Sequence, residues 1–132
     1  MEDCLFCKIM KGEIPAKTIY EDDIVKVFMD ISPLANGHLL VVPKIHQENI
    51  LDIDENFILH ALNIIKKELY PLLKETLNCD GLTIKENNFY GQDIKHFHIH
   101  LIPRYENDEY KEVSNTELLE DIDTIYNRLT EK

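Results

Sequence analysis

Three histidines recur at every second position in His96-Phe97-His98-Ile99-His100, and the run continues Leu101-Ile102-Pro103. In a β-strand successive side chains point to opposite faces, so residues two apart share one. The pattern predicts a strand that lines one side with imidazoles and plugs Phe97, Ile99 and Leu101 into a core. Neutral imidazole is a nucleophile, a general acid–base and a metal ligand near neutral pH. The row therefore suits catalysis or metal binding, and spacing alone leaves both open. His38 follows Gly37 at the mouth of an apolar run and is a fourth imidazole candidate; the alternative is a loop-end histidine with a local hydrogen bond. Cys4 and Cys7 form a C-x-x-C, a spacing at which two thiolates grip one tetrahedral zinc. His46 and His96 are available as remote partners for them, and two reduced, half-buried thiols are the other reading. Cys79 reads as a small apolar filler, and His60 as a surface or interface residue on a helix.

These residues need elements to position them. Leu5-Phe6-Cys7-Lys8-Ile9-Met10 is spaced for a short helix, halted by Gly12 and Pro15. Thr18–Glu21 and Ile24–Asp30 read as two strands of a hairpin around Glu21-Asp22-Asp23. Ser32-Pro33-Leu34-Ala35-Asn36-Gly37 is a loop, and His38–Pro43 is apolar enough for a central strand. Asp52 or Asp54 caps a helix from near Glu55, with Ile58, Leu62, Ile65, Leu69 and Leu72/Leu73 as its apolar face and Pro71 expected to kink or split it. Asn78-Cys79-Asp80-Gly81 ends it. Leu82–Lys85 is the strand before the histidine row, with Asn87–Gln92 as the loop between. Ser114 with Glu117 suits a capping box, and Leu118, Ile122, Ile125 and Leu129 a terminal helix. The order is α+β with a mainly antiparallel sheet.

The 132 residues fit one domain with a real core. A formal net charge of -11 argues against non-specific binding to nucleic acid or anionic membrane. It also means that a phosphate-bearing ligand needs local donors: imidazoles, backbone N–H groups or helix N-termini. No apolar run has membrane-spanning length, and Met1-Glu2-Asp3-Cys4 lacks the basic-then-apolar pattern of a signal peptide. Three cysteines fit a reducing compartment, so a cytoplasmic location is expected.

HFHIHLIP resembles the His-φ-His-φ-His-φ-φ signature of the histidine triad (HIT) family, φ being apolar. The surrounding landmarks follow the family's order: Cys4-Leu-Phe-Cys-Lys-Ile, Gly12-Glu-Ile-Pro, Tyr20-Glu-Asp-Asp, Phe28-Met-Asp-Ile-Ser-Pro, Gly37-His-Leu-Leu-Val-Val-Pro-Lys and Gly91-Gln. The match runs from Cys4 to about Arg104 and is similar in flavour to the bacterial branch related to the nucleoside phosphoramidases. The resemblance implies a HIT-like sheet of about five strands with packed helices, extended across a homodimer. Residues 1–132 would form a single HIT domain with an acidic C-terminal extension and helix from about residue 105.

It further implies a nucleotide hydrolase or transferase acting at the α-phosphate of nucleoside 5′-phosphoramidates or related derivatives. A dinucleoside polyphosphate hydrolase and a non-catalytic nucleotide-binding module are the alternatives. By position His98 resembles the nucleophile that forms a nucleotidyl-histidine, and His100 and His38 the flanking imidazoles on the phosphate. Asp30 falls where the family binds ribose, Phe6, Ile9, Phe28 and Ile31 where it walls the base. Gln92, Asp93 and Asn87 complete the implied purine-nucleotide site. A structural Zn2+ on Cys4, Cys7, His46 and His96 is implied as well. Three departures stand out. Asp93 replaces a usual Ser or Thr, as a leaving-group acid or a repulsive charge; Lys85 replaces an amide that some members use on the phosphate or leaving group, and that Asn87 or Asn88 would supply instead; Phe89 stands where glycine is more usual.

Overall fold

A computed structural model of the chain describes residues 3–131. It contains α1 (Leu5–Met10), β1 (Thr18–Glu21), β2 (Val25–Met29), β3 (Leu39–Pro43), α2 (Glu55–Ile64), α3 (Tyr70–Leu77), β4 (Gly81–Glu86), β5 (Ile99–Arg104) and α4 (Ile122–Thr130). The strands form one antiparallel sheet in the order β1-β2-β3-β5-β4. This is the expected α+β fold with five strands, and β3, every residue of which is buried, is indeed central. No helix among the described residues is long and apolar enough to cross a membrane.

Both faces of the sheet are covered, and strand alternation sorts side chains between two cores. Leu39, Val41, Phe97, Ile99 and Leu101 pack with Phe57, Ala61, Ile64, Ile65 and Leu69 of the long helical segment. Leu40, Val42 and Phe28 point the other way and pack with Phe6 and Ile9 of α1. Cys4 caps α1, its sulfur accepting from the Cys7 N–H, so the first cysteine also starts the helix that holds the second.

The structure corrects the reading of the histidine strand. Its sheet ladder begins at Ile99, and only His100 of the three histidines lies in it. His96 and His98 sit on the approach, where the Phe97 N–H donates to the Gln47 carbonyl of a loop instead of to a neighbouring strand. The alternation survives that diversion. Phe97, Ile99 and Leu101 are buried on the helix side, and α1 buries His96 and His98 on the other.

The long helix is capped by Asp54, which accepts from the Asn56 N–H. Pro71 lacks the N–H that an α-helix would use at that position. The chain answers with a π-helical turn over Ile65–Leu69, after which α3 starts with Pro71 in its first turn. The buried stripe is Phe57, Ala61, Ile64, Ile65, Leu69 and Leu73 rather than one built on Ile58 and Leu62; Ile58 is only partly buried and Leu62 and Leu72 are exposed. Both stripes are apolar, so periodicity alone does not choose between them. Asn78 closes α3 in the left-handed conformation.

The terminal helix starts later than its sequence suggests. Asp121 caps it through the Asp123 N–H, and Ser114 and Glu117 lie outside it. Carboxylate caps rank with serine caps, and Leu118 and Leu119, both exposed, find no core that would favour the earlier start.

Candidate active site

On the α1 face of the sheet lies a cavity of about 560 Å³. Its floor contains a row of cross-strand partners: Phe28 pairs with Leu40, Leu40 with His100 and His100 with Lys85. Phe6, Ile9, Phe28 and Ile31 form an apolar end, with Ile31 on the open rim. Phe6 stands edge-on to both Phe28 and His98, at centroid separations of 5.5 and 5.0 Å. Asp30, Asn87, Asp93, His38, His98 and His100 also line the cavity. Gly37 lets His38 enter it: the glycine holds φ +90°, and a Cβ there would lie 2.6 Å from Leu77 Cδ1.

Hydrogen-bond partners fix the imidazole tautomers. The Leu34 N–H donates to His38 Nδ1 at 3.0 Å, so neutral His38 carries its proton on Nε2. That N–H donates to His100 Nδ1 at 2.9 Å, which leaves the His100 N–H on Nε2. Asp30 lies beside this relay, Oδ2 being 3.4 Å from His38 Nε2 while Oδ1 accepts from the Ser32 N–H. His98 Nδ1–H donates to the His96 carbonyl at 2.7 Å, leaving its Nε2 with a free lone pair. An imidazole anchored in this way presents one unprotonated nitrogen, the form that nucleophilic attack or metal ligation requires.

Burial disfavours the charged form of all three rings. It lowers the pKa of His98, against the opposing His96 carbonyl and the charges of Glu86, Asp30 and Asp93. It lowers that of His38, with Asp30 opposing and Lys85 assisting. His100 is pushed down to about 4, by burial first and then by His98, His38 and Lys85. The consequence for stability has a definite sign. A histidine with a folded pKa below its unfolded value of about 6.5 binds a proton more readily when unfolded, so stability falls as pH drops. Protonating His100 Nδ1 would also set two N–H groups facing each other across the relay. Unfolding by urea at stepped pH should therefore show a loss beginning below about pH 6.5 and continuing towards 4, worth about 2–3 kcal/mol from His100 alone.

A second cluster lies next to the cavity. One ligand atom from each of Cys4, Cys7, His46 and His96 falls within 4.8 Å of the others. Cys4 Sγ is 3.3 Å from His96 Nδ1, and Cys7 Sγ 3.2 Å from His46 Nδ1. His96 Nε2–H donates to the Pro43 carbonyl at 2.8 Å, so its lone pair is on Nδ1 and aimed at the sulfurs. A ligating histidine whose other nitrogen is anchored on a carbonyl is the usual arrangement around zinc, and this donor set fits that ion. Asp30, His38 and His100 also converge within 4.8 Å. There the His38 proton occupies the nitrogen a metal would need, so that trio is a hydrogen-bonded relay.

The structure thus gathers the named residues into two adjoining groups, with one exception. Gln92 does not line the cavity. Gly91, at φ +97°, turns the chain, and the buried Gln92 amide donates to the Glu48 carbonyl, bracing a loop. Asn88 is likewise committed, donating to Glu86 and accepting from the Ile50 N–H, while Asn87 faces the cavity. Phe89 adopts φ +63°, in keeping with a position where glycine is more usual, and Lys95 bonds its carbonyl. Sequence reasoning missed the Leu34 N–H, a backbone donor that no side-chain pattern reveals. Lys85, which the resemblance set where some members carry an amide on the phosphate or leaving group, faces the cavity opposite His100.

This fold and paired histidine arrangement define a histidine triad domain, and comparison with known proteins agrees. The family model described as HIT domain matches residues 11–107. The chain belongs to the HIT family. An uncharacterised HIT-like protein of Methanocaldococcus jannaschii is 44% identical over 121 residues, spanning 87% of this chain and 92% of that one. An adenosine 5′-monophosphoramidase of Saccharomyces cerevisiae is 37% identical over 103 residues (76% and 62%), and an adenylylsulfatase of Arabidopsis thaliana 36% identical over 108 (80% and 54%). Among solved structures, a HIT family protein from Bacillus anthracis superposes with a TM-score of 0.81 at 35% identity, over 98% of this chain and 94% of that one. A zinc-bound histidine triad family protein from Mycobacterium smegmatis gives 0.75 at 30% identity, over 88% and 87%.

Proposed function

We propose that this chain is a nucleotide-binding hydrolase that cleaves nucleoside 5′-phosphoramidates, or related derivatives, at the α-phosphate through a nucleotidyl intermediate on His98. The observation that carries the reading is the state of His98: Nδ1–H tied to a backbone carbonyl, Nε2 unprotonated, the side chain lining a cavity with an apolar end. A monophosphoramidase and an adenylylsulfatase among the relatives support it.

In this reading Phe6, Ile9, Phe28 and Ile31 hold a purine base and Asp30 binds ribose hydroxyls. His98 Nε2 attacks phosphorus and the bond to the leaving amine breaks, the amine taking a proton from solvent. Water then attacks phosphorus, the bond to His98 Nε2 breaks, and the proton that the water releases restores the one the amine took. One water is consumed: its hydroxyl ends on phosphorus, its proton on the amine. His100 Nε2–H, backed by His38, donates to the phosphoryl oxygens as their charge grows, and Asn87 and Asp93 face the phosphate region. Cys4, Cys7, His46 and His96 hold a structural Zn2+, which supplies cross-linking rather than reaction chemistry. Residues 1–132 then act as one HIT domain with an acidic tail, in the cytoplasm.

Assaying the native protein with adenosine 5′-phosphoramidate and with a diadenosine polyphosphate tests the reading. Faster turnover of the phosphoramidate supports it. Faster cleavage of the polyphosphate favours the alternative hydrolase, and tight AMP binding without turnover a binding module.

A homodimer belongs to the same proposal. Strand β4 is a sheet edge, and Ile84 upon it is exposed. A second copy pairing there would continue the sheet and cover apolar surface. Sedimentation at twice the chain mass is expected; a concentration-independent monomer would exclude it.

A further inference from the structure

The loop that delivers His38 into the cavity is bonded mostly to itself. Within residues 30–38 the Ser32 N–H donates to Asp30 Oδ1, the Leu34 N–H to His38 Nδ1, and the His38 N–H to the Ala35 carbonyl. Among the described residues, one hydrogen bond reaches residues 31–37 from elsewhere: the Tyr105 O–H donates to the Asn36 carbonyl at 3.0 Å. That carbonyl belongs to a turn of defined shape. The bond from His38 to Ala35 closes a β-turn over residues 35–38, with Gly37 at φ +90° in its third position and Asn36 at negative φ. This is a type II turn, and the direction of its central carbonyl is what separates it from type I. Tyr105 thus holds the peptide that leads into Gly37 and on to His38.

The base of that hydroxyl is tied down on both sides. The Asp80 N–H donates to the Arg104 carbonyl at 2.8 Å, and Asp80 Oδ2 accepts from the Glu106 N–H at 2.7 Å. The Tyr105 N–H donates to Asp108 Oδ2, and the Tyr105 carbonyl accepts from the Asp108 N–H. Arg104 clasps both oxygens of Asp108 at 2.7 and 2.9 Å, its guanidinium lying 4.3 Å over the Tyr110 ring. The Tyr105 ring itself packs on the helix-side core. Tyr105 directly follows β5, and His100 lies on β5. One strand therefore meets the His38 loop twice, through the His38–His100 bond and through Tyr105 on Asn36.

We propose that Tyr105 is a positioning residue for the reaction. By holding the Asn36 carbonyl it keeps the Leu34 N–H on His38 Nδ1, which keeps the His38 proton on Nε2 and the His100 proton on the Nε2 that meets a phosphate. The catalytic consequence rests on the nucleotidyl-transfer reading above; the placing of the protons does not. Without the hydroxyl the turn loosens, the Leu34 N–H leaves its acceptor part of the time, and His38 exchanges into the tautomer protonated on Nδ1. His38 Nε2 then accepts, His100 must carry its proton on Nδ1 to meet it, and the phosphate loses a donor.

The test is Tyr105→Phe, which keeps the ring in the core and removes the hydroxyl. Tyr20→Phe is the matched control, a hydroxyl lost from β1 where it donates to Asp22. Nitrogen NMR of isotope-labelled histidine rings at mildly alkaline pH reports the tautomers without turnover. Native protein should show His38 protonated on Nε2. Tyr105→Phe should move the signals of the two His38 nitrogens towards each other as the tautomers mix, and Tyr20→Phe should leave them in place. On adenosine 5′-phosphoramidate, kcat of Tyr105→Phe should fall about three- to tenfold, the worth of one hydrogen bond, with KM held within about twofold. Unmoved His38 signals in Tyr105→Phe, equal movement in Tyr20→Phe, or a native His38 protonated on Nδ1 each overturns the proposal. So does an unchanged kcat where native protein turns the substrate over. A native protein without turnover defeats the hydrolase reading instead, and the spectra still decide Tyr105.

Discussion

His98→Ala is expected to lower kcat for adenosine 5′-phosphoramidate by about 10³-fold or more. Removing a nucleophile closes the two-step route, and what remains is whatever the phosphate donors achieve with water attacking directly. AMP affinity should change by only a few-fold, because Ile9, Phe28 and Ile31 of the apolar end, Asp30 and the His38–His100 hydrogen bond remain without the deleted ring. The variant also loses the edge-on packing of His98 against Phe6, so a stability cost of about 1–3 kcal/mol accompanies it. Thermal melts establish that the fold persists before the rates are read. Rapid quench at alkaline pH, where a phosphorus–nitrogen bond on histidine survives, should show a nucleotidyl adduct on native protein and none on the variant. Turnover that survived the substitution would rule out His98 as nucleophile.

The deletion separates chemistry from architecture because the triad residues hold different posts. Strand alternation alone makes them equivalent, three imidazoles on one face, and only the resemblance set them different roles. What distinguishes them lies in groups that alternation does not report: the His96 carbonyl under His98, the Pro43 carbonyl under His96, and the Leu34 N–H behind His38. The apolar alternation of Phe97, Ile99 and Leu101 was legible because burial on one face is a side-chain property. The start of the strand was not, since it depends on where Phe97 finds a backbone acceptor, a loop carbonyl distant in sequence. The same distinction explains the long helix. Its position and Asp54 cap follow from local signals, whereas the choice between two apolar stripes was made by the sheet beneath it. Gln92 was named on resemblance, and no side-chain pattern shows that its amide donates to the Glu48 carbonyl of a loop distant in sequence.

The cluster of Cys4, Cys7, His46 and His96 yields the second large effect, of the opposite kind. Native protein should carry one zinc per chain by metal analysis, and Cys4→Ala should lose it. Structural zinc is worth many kcal/mol where it must organise an entire small domain. Here a sheet with two cores already exists, so a smaller loss of about 3 kcal/mol is expected, a drop of roughly 10 °C in Tm. Chelation of native protein should reproduce that drop and leave the melt of Cys4→Ala unmoved. The reason lies in what the cluster joins. Cys4 and Cys7 belong to α1, which roofs the cavity through Phe6 and Ile9, and His96 belongs to the segment that carries the triad. The link to the reaction is short, for the backbone carbonyl of His96 holds the His98 proton while its side chain faces the sulfurs. Cys4→Ala should accordingly raise KM more than it lowers kcat, the roof loosening while the nucleophile stays anchored on the main chain. His98→Ala should do the reverse. Native preparations without zinc, or a Cys4→Ala variant that keeps it, would remove the metal from the account and leave two half-buried thiols at the start of α1.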